Sequence, residues 1–575
     1  MIKTEGKISL ERISDYPPMP YSFGLIDINR TGTWKYVQPF YDDKLAPCSH
    51  ACPAGNDISK WMDLVSRGEE EKAYAIARSA HPFSSTLGRI CPHPCESNCN
   101  RAKMGGEVAI HAVERYIGDC SLADKFRPGR PPVSGRRHEK VAIVGSGPAG
   151  LTAAYNLALK GYKVDVFEAK DAPGGYLRYG IPTYRLPRQI LDAEIDLVVK
   201  AGVKIRTNTA LGRNLTFSRL EKYNAVLLAI GFHKSRDLGV PGQDLSGVVP
   251  GIEVLEKIAK GKRINLGRKV AVIGGGNTAM DVARSLHRKG CKVTVYYRRT
   301  RKEMPAISSE VDEAVEEGIP IHFLTAPDKV EKRGKGLRLT LKKMKLGRPD
   351  ESGRRRPVPV KGSEFPVVVD TVVTAIGETT DLSVLPEDVT TTGFGMAVDR
   401  NMALSRPGFF AAGDAATGMG TVTAAVGDGR RAAAAIDEYL NGGLQKTTET
   451  PLAMNLNRRT RSDEVVYFEN LNTAYFKSEP PVQEKHMDPQ KRIHSFREVV
   501  SGLTIDQARA EAHRCFKCGT CNSCENCLVF CPDVSIIRRS KDEYPYFEVD
   551  LDHCKGCGVC VAECPRDALS LKEVG

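Results

Sequence analysis

Two cysteine runs near the C-terminal end constrain the fold of this chain more than any other feature. Each run has three cysteines separated by two residues, then a gap of three residues and a cysteine directly before proline. Bacterial ferredoxins share this spacing: three thiolates of a run bind one [4Fe–4S] cluster, and the fourth binds the other cluster. The spacing therefore predicts two clusters with these ligand sets: Cys521, Cys524, Cys527 and Cys564 for one, and Cys531, Cys554, Cys557 and Cys560 for the other. Zinc is the alternative, but zinc ribbons normally use two pairs of cysteines instead of two runs of four.

A glycine-rich loop in 141–169 (VAIVGSGPAGLTAAYNLALKGYKVDVFEA) predicts a dinucleotide site. An apolar strand leads into Gly145, Gly147 and Gly150, and a helix and a second strand ending at Glu168 follow. The glycines permit a tight turn, close approach of a pyrophosphate and packing of the helix on the strand. Glu168 is placed to accept hydrogen bonds from a ribose diol. A tight turn in an unrelated α/β domain is the alternative, but it does not explain the terminal acid.

A second loop, in 269–300, repeats this pattern with Gly274, Gly276 and, in the third place, Ala279. The following strand ends in Arg298 and Arg299 where an acid would bind a ribose diol. Arginine pairs with a 2′-phosphate, so NADPH is favoured over NADH. The alternative is that these arginines are solvated or bind a partner.

Two more segments indicate which loop binds which nucleotide. GFFAAGDAATG (408–418) is a predicted strand ending in Gly413 and Asp414, and a helix is predicted to begin near Thr421. This strand resembles the second FAD-contacting element of flavoproteins with two dinucleotide domains, and the helix would direct its positive N-terminus at the flavin. AVLLAIG (225–231) and TVVTAIG (371–377) resemble the chain crossings between such domains. We therefore expect FAD at the first loop and the nicotinamide nucleotide at the second.

The predicted fold class is α/β, with a helical N-terminal iron–sulfur domain, two Rossmann-like domains and a C-terminal ferredoxin domain. The predicted domains are a leader (1–40), a helical iron–sulfur domain (41–126), a linker (127–138), a discontinuous FAD domain (139–250 and 376–445), an NAD(P) domain (251–375), a wrapping arm (446–505) and a ferredoxin domain (506–575).

Composition restricts the function classes. The formal charge is +13, but no nucleic-acid motif organises the basic residues, so a basic face for an acidic protein partner or for cofactor phosphates is favoured. There is no run of eighteen apolar residues and no signal-peptide pattern. Seventeen cysteines in a cytoplasmic protein indicate metal clusters, because disulfides are rare in reducing compartments. We therefore expect a cytoplasmic protein with no membrane span and no nucleic-acid partner.

The N-terminal cysteines carry a family resemblance. PCSHACPAG (47–55), GRICPHPCESNCNRA (88–102) and RRTRKEMPA (298–306), with the two loops, resemble the small subunit of glutamate synthase and its relatives. Those relatives include the N-terminal half of dihydropyrimidine dehydrogenase and the large subunit of the NADH-dependent ferredoxin:NADP oxidoreductase. The resemblance implies a flavoprotein that exchanges hydride with NADPH and passes single electrons through N-terminal clusters.

The resemblance also implies a ligand partition. Relatives carry an RCxxCG pair before the first N-terminal cysteines, and here the similar HRCFKCG lies at 513–519. One hypothesis places Cys515, Cys518, Cys48 and Cys99 on one cluster, and Cys52, Cys91, Cys95 and Glu114 on another, because relatives use a side-chain oxygen near Glu114. The rival is a single cluster drawn from Cys48, Cys52, Cys91, Cys95 and Cys99. Cys120 and Cys291 are expected to be buried thiols.

The predicted function is electron transfer between NAD(P)H, FAD and iron–sulfur clusters, with the chemistry supplied by the cofactors and no catalytic side chain nominated. The expected partner is a larger oxidoreductase, such as a 2-oxoacid:acceptor oxidoreductase, or a ferredoxin. The alternative is the small subunit of an NADPH-dependent glutamate synthase, and a more distant one is a non-enzymatic redox sensor or scaffold. A disulfide reductase is excluded, because Cys291 is the only cysteine between residues 121 and 514.

Overall fold

The computed structural model describes residues 30–123, 135, 137–350, 353–443, 464–540 and 543–574. Residues 1–29 of the predicted leader, most of the predicted linker and residues 446–463 of the predicted arm lie outside these ranges. The chain divides into two compact units. The larger unit contains 47–458 and 478–515, and the smaller unit contains 1–46, 459–477 and 516–575.

The α-helices are, in chain order, α1 (Pro47–Ala51), α2 (Ile58–Ser66), α3 (Glu70–Ala80), α4 (Ser84–Ile90), α5 (Pro94–Ser97), α6 (Ile110–Leu122), α7 (Pro148–Leu159), α8 (Tyr176–Tyr179), α9 (Arg188–Lys200), α10 (Phe217–Leu220), α11 (Gly251–Ala259), α12 (Asn277–Arg288), α13 (Ser308–Glu316), α14 (Asp414–Thr417), α15 (Val422–Leu440), α16 (Pro489–Arg492), α17 (Ile505–Arg514), α18 (Asn526–Val529) and α19 (Val559–Ala562). None of the helices in the described ranges combines the length and the apolar character that a membrane crossing needs.

The strands are β1 (Val37–Tyr41), β2 (Lys140–Val144), β3 (Lys163–Phe167), β4 (Lys204–Arg206), β5 (Ala225–Leu228), β6 (Lys234–Ser235), β7 (Val248–Pro250), β8 (Lys269–Ile273), β9 (Lys292–Tyr296), β10 (Ile321–His322), β11 (Thr325–Arg333), β12 (Gly336–Pro349), β13 (Arg355–Pro359), β14 (Phe365–Val369), β15 (Thr371–Thr374), β16 (Glu378–Thr379), β17 (Phe409–Ala411), β18 (Ile536–Arg538), β19 (Phe547–Val549) and β20 (Leu569–Glu573).

The first parallel sheet of the larger unit has the order β17-β5-β2-β3-β4. Its central strand β2 is a run of β-branched and small apolar residues, which suits a strand buried on both faces. Val144 at its carboxyl end is in register with Phe167 and Leu228. Helices α7 and α15 pack against each other beside this sheet. Strand β17 comes from beyond residue 400, so the sheet is built from two separate stretches of chain.

The second parallel sheet has the order β10-β9-β8-β15-β7 and lies between these two stretches in sequence. Strand β8 repeats the apolar pattern of β2 and enters the second glycine loop. An additional antiparallel sheet of β11, β12, β13 and β14 lies between β10 and β15 in the chain. This extra sheet is not among the elements expected from the sequence.

The N-terminal helices of the larger unit are held together by a close crossing of α4 and α6. A Cβ atom on Gly88 would lie 2.5 Å from the backbone nitrogen of Arg115, and one on Gly118 would lie 2.5 Å from that of Ser85. Each helix therefore has a glycine where the other backbone approaches. Because α4 ends at Ile90, this crossing fixes the position of Cys91, the first residue after the helix.

The smaller unit is built from two similar halves. Helix α18 begins after Glu525 and helix α19 after Gly558, and both preceding residues have left-handed backbone conformations. Strands β18 and β19 pair with each other, and β20 pairs antiparallel with β1. The core between these elements contains Cys527, Ile536, Phe547, Cys560 and Leu569.

Candidate functional site

The first glycine loop connects β2 to α7. Gly145 has a φ of +104°, and a Cβ atom there would lie 2.2 Å from the carbonyl oxygen of Ala229. A Cβ on Gly150 would lie 2.1 Å from the carbonyl oxygen of Gly145, whereas one on Gly147 would meet nothing within 4 Å. The fold itself therefore requires glycine at 145 and 150. The space at Gly147 is open toward the cavity and is suited to a phosphate group.

Glu168 lies at the carboxyl end of β3, buried beside this loop. The backbone N–H of Ser146 donates to its Oε2 at 3.0 Å, and that of Lys170 donates to its Oε1 at 2.8 Å. These bonds hold the carboxylate at the rim of the cavity, where it has remaining acceptor capacity for a ribose diol.

The second predicted flavin segment closes the same cavity. Gly413 has a φ of +74° and precedes Asp414, the first residue of α14. Burial raises the pKa of Asp414 to about 6, while the backbone N–H of Gly420 donates to its Oδ1 at 2.9 Å and opposes that rise. Thr421 caps α15 by accepting a hydrogen bond from Ala424, so this long helix begins at the cavity wall.

A cavity of about 470 Å³ joins these elements at the carboxyl ends of the first-sheet strands. Gly147, Glu168, Asp414 and Thr421 line it from the flavin side, and Thr278 lines it from the second loop. Its volume is in the range of cofactor sites. The open glycine, the ribose-facing acid and the helix N-terminus together fit FAD.

The second glycine loop reproduces the first. Gly274 has a φ of +149°, and a Cβ atom there would lie 2.0 Å from the carbonyl oxygen of Ala375. Gly276 again faces open space, with the nearest atom to a Cβ at 3.9 Å on Pro305. Ala279 is fully buried on α12, where a methyl group fits the third position of the motif.

The two predicted phosphate-binding arginines lie in different surroundings. Arg299 is buried, and its guanidinium donates to Asp350 Oδ2 at 2.6 Å and to the carbonyl oxygen of Arg355 at 2.8 Å. Arg298 is exposed beside it. Of the two, only Arg298 has an exposed side chain, whereas Arg299 is engaged by Asp350 and Arg355.

Three residues that the motifs did not indicate meet inside the cavity. Tyr176, which follows the turn at Gly175, lies with its hydroxyl 2.9 Å from Oγ1 of Thr278. Burial raises the pKa of Glu378, and a hydrogen bond from Thr278 lowers it. These side chains connect the flavin side of the cavity with the first turn of α12. Their partners are distant in sequence, so no local signal identifies them.

The N-terminal cysteines form a buried group. Burial raises the pKa of Cys91, and the nearby Cys52 and Glu114 act in the same direction. Cys95 lies close to Cys52 and Cys91, since both raise its pKa after the dominant effect of burial. Cys48 also acts on Cys95. The structure thus places Cys52, Cys91, Cys95 and Glu114 near one another, with Cys48 beside them, which both hypotheses allow.

Glu114 and the second predicted N-terminal set have further neighbours. Oε1 of Glu114 accepts a hydrogen bond from Asn56 at 3.3 Å and lies 3.3 Å from Nε2 of His81. Burial raises the pKa of Cys99 to about 11, and the nearby Cys515 adds to this effect. Cys48, Cys99 and Cys515 belong to the larger unit and Cys518 to the smaller unit. Whether there are one or two N-terminal clusters therefore stays a prediction.

The smaller unit places its cysteines around two cavities. Cys521, Cys524, Cys527 and Cys564 line one, and Cys531, Cys554, Cys557 and Cys560 line the other. No disulfide joins any two cysteines within the described ranges. Tyr41 Oη lies 3.3 Å from the Cys527 sulfur, and the Ser535 N–H donates to the Cys531 sulfur at 3.3 Å. Four converging thiols with hydrogen-bond donors suit a [4Fe–4S] cluster at each cavity.

Three family models match the chain. Pyridine nucleotide-disulphide oxidoreductase matches residues 139–429, the 4Fe-4S domain II of dihydropyrimidine dehydrogenase matches 42–126, and a 4Fe-4S binding domain matches 547–570. The first covers both glycine loops, and the other two cover cysteine groups at either end.

Curated relatives span most of the chain. The beta subunit of NADP(+)-dependent formate dehydrogenase from Moorella thermoacetica is 40% identical over 82% of this chain and 70% of its own length. The beta subunit of NADPH-Fe(3+) oxidoreductase from Geobacter sulfurreducens is 37% identical over 84% of this chain and 76% of its own length. The small chain of NADPH glutamate synthase from Azospirillum brasilense is 35% identical over 71% of this chain and 88% of its own length. The chain therefore belongs to the pyridine nucleotide-disulphide oxidoreductase family, as an NADPH-dependent FAD and iron–sulfur electron-transfer protein related to the glutamate synthase small subunit.

Proposed function

We propose that this chain is the NADPH-handling subunit of a larger cytoplasmic oxidoreductase whose substrate is bound by another subunit. In this proposal the larger unit exchanges a hydride with NADPH, and the ferredoxin-type clusters of the smaller unit exchange single electrons with the partner. The names of the relatives support a complex, since two of them are beta subunits.

One observation supports this function more than any other. Ile90 and Pro92, the neighbours of Cys91, line the same cavity as Gly147 and Thr421. The residues on both sides of Cys91 therefore lie at the wall of the cavity that fits FAD. This arrangement suits a flavin that passes electrons to iron, and a disulfide reductase would need a cysteine pair there instead.

FAD, when bound, takes up electrons in pairs from NADPH and releases them singly. The residues of the chain have supporting roles. Glu168 would hold the adenosine ribose, and the open backbone at Gly147 and Gly276 would accept pyrophosphates. Arg298 would pair with the 2′-phosphate. The N-terminus of α15 at Thr421 would stabilise negative charge at its end of the cavity.

The partner is proposed by class. It carries its own substrate site and exchanges single electrons, and a formate dehydrogenase catalytic subunit is the first candidate because of the relative from Moorella. A 2-oxoacid:acceptor oxidoreductase and a free ferredoxin are the next candidates. Cys524 and Cys557 are exposed, which suits exchange at the surface of the smaller unit.

The test uses the full chain purified without oxygen. We expect bound FAD and about sixteen irons if two N-terminal clusters are present, or about twelve if there is one. We also expect reduction of a viologen dye with NADPH and much slower reduction with NADH. Co-purification from the native host should then identify the partner. Protein without flavin that fails to reduce dye with either nucleotide would contradict the proposal and favour a scaffold, whereas association with a glutaminase-bearing subunit would favour the glutamate synthase alternative.

A further inference from the structure

One face of helix α15 forms a wall against the N-terminal cysteine group. Thr423, Gly427 and Arg430 are spaced by four and three residues, which places them on the same face of a helix. The helix begins at Thr421 in the cavity wall, so the element that reaches the flavin site also reaches these cysteines.

Thr423 makes the first contact of this face. It is buried, and its hydroxyl lies near the Cys91 sulfur. A donor at this place stabilises negative charge on the sulfur.

Gly427 makes the second contact. A Cβ atom there would lie 2.0 Å from the carbonyl oxygen of Pro53. The loop after Cys52 therefore rests directly on the helix backbone. The backbone N–H groups of Ala54, Gly55 and Asn56 in this loop lie near the Cys52 sulfur, and that of Gly55 donates to the Cys52 carbonyl oxygen at 3.0 Å.

Arg430 makes the third contact. Its Nη1 donates to the carbonyl oxygens of Gly55 at 2.7 Å and Ala54 at 3.1 Å. Within the part of the chain that the structure describes, Arg430 forms no ion pair with a carboxylate. Burial lowers the pKa of Arg430. The nearby Cys52 raises that pKa by a smaller amount. A half-buried guanidinium without a carboxylate needs another anion nearby.

We propose that Arg430 and Thr423 set the reduction potential of the cluster next to the flavin cavity, raising it so that this cluster accepts electrons readily. Reduction adds one negative charge to a cluster. A fixed positive charge and a hydroxyl donor near a ligating sulfur both stabilise the reduced form. This inference rests on the proposed function, because it requires that Cys52 and Cys91 bind that cluster.

The test is a redox titration of anaerobically purified protein, followed by electron paramagnetic resonance. The signal that disappears in a Cys91→Ser variant identifies the cluster. For Arg430→Met we expect a midpoint potential lower by about 59 mV, a tenfold change in the one-electron reduction equilibrium. Arg430→Lys keeps the charge and should stay near the wild type. Thr423→Val should also lower the midpoint potential, but by less than Arg430→Met does.

Arg406→Gln is the matched control. Arg406 precedes the amino end of β17, at the sheet edge opposite the glycine loop, and pairs with Asp388 and Glu221. Its loss should leave the potential unchanged. An unchanged potential in Arg430→Met with full cluster content would overturn the inference. If Arg430→Met loses the cluster, the test passes to Thr423→Val. An unchanged midpoint potential in Thr423→Val would then overturn the inference. A wild type without any iron–sulfur signal would instead contradict the proposed function.

Discussion

The hydroxyl oxygen of Tyr176 lies 2.9 Å from Oγ1 of Thr278, so a side chain beside the first glycine loop holds the first turn of α12 at the second loop. The ring of Tyr176 is itself fixed, because a Cβ atom on Gly180 would lie 2.2 Å from it. The two glycine-loop regions are thus joined in the wall of the cavity, where the proposed function has the nicotinamide approach the flavin.

Tyr176→Phe keeps the ring and removes this hydrogen bond. A neutral hydrogen bond contributes about 1 kcal/mol, so we expect roughly a fivefold rise in the Kd for NADP+ with FAD content unchanged. Equilibrium titration of flavin fluorescence with NADP+ measures this. Tyr179→Phe is the matched control, since the Tyr179 hydroxyl donates to Asp171 at 2.6 Å and does not line the cavity. Equal affinity in Tyr176→Phe and the wild type would contradict a role in nucleotide binding.

Gly147→Ala should separate cofactor binding from folding. Gly147 has a φ of −72°, which any residue adopts, and an added Cβ would meet no protein atom within 4 Å. The FAD-free variant should therefore unfold within about 2 °C of the FAD-free wild type. Its FAD affinity should fall by about tenfold or more, because the methyl group occupies the approach of the pyrophosphate.

Gly145→Ala gives the contrasting result. Here the Cβ would lie 2.2 Å from a carbonyl oxygen and the φ is +104°, so the fold itself is strained. We expect a lower melting temperature in the FAD-free protein. If Gly147→Ala bound FAD normally, the loop would not be the pyrophosphate site.

Arg298→Ala should change nucleotide preference. A charge-assisted hydrogen bond contributes about 1.5–3 kcal/mol, so the Kd for NADPH should rise about tenfold to a hundredfold while that for NADH stays constant. Binding titrations with both nucleotides measure the ratio. Arg299→Ala should instead lower stability, because the ion pair between Arg299 and Asp350 is lost. A loss of NADPH binding in Arg299→Ala alone would reverse the assignment.

His111 gives a pH dependence of stability. Burial lowers the pKa of His111, but Glu96 and Glu484 outweigh it and raise the pKa from 6.5 to about 10. The protonated ring therefore contributes stability that is fully present below pH 6.5 and is lost as the pH rises toward 10. The melting temperature of the wild type should exceed that of His111→Gln most at pH 6, and the difference should shrink by several degrees by pH 10. A difference independent of pH would contradict the assignment.

The features that local spacing determines were predictable from the sequence. The cysteine runs place four thiols around each cavity of the smaller unit, and Gly145 and Gly274 form equivalent tight turns because the motif encodes the turn itself. Contacts between distant segments were not predictable. Arg430 meets Ala54 across 376 residues, and Asp350 pairs with Arg299 from the additional antiparallel sheet. Nothing in the spacing of Arg298 and Arg299 tells which of the two is buried.

The contact of Gly427 with the carbonyl oxygen of Pro53 joins two main chains and involves no side chain. Backbone atoms within a helix and a tightly bonded loop have no rotamers to exchange, so thermal motion changes their separation little. In the proposed function, the gap that an electron must tunnel between flavin and iron would therefore be a property of the scaffold, and surface substitutions would alter partners or nucleotide preference without changing it.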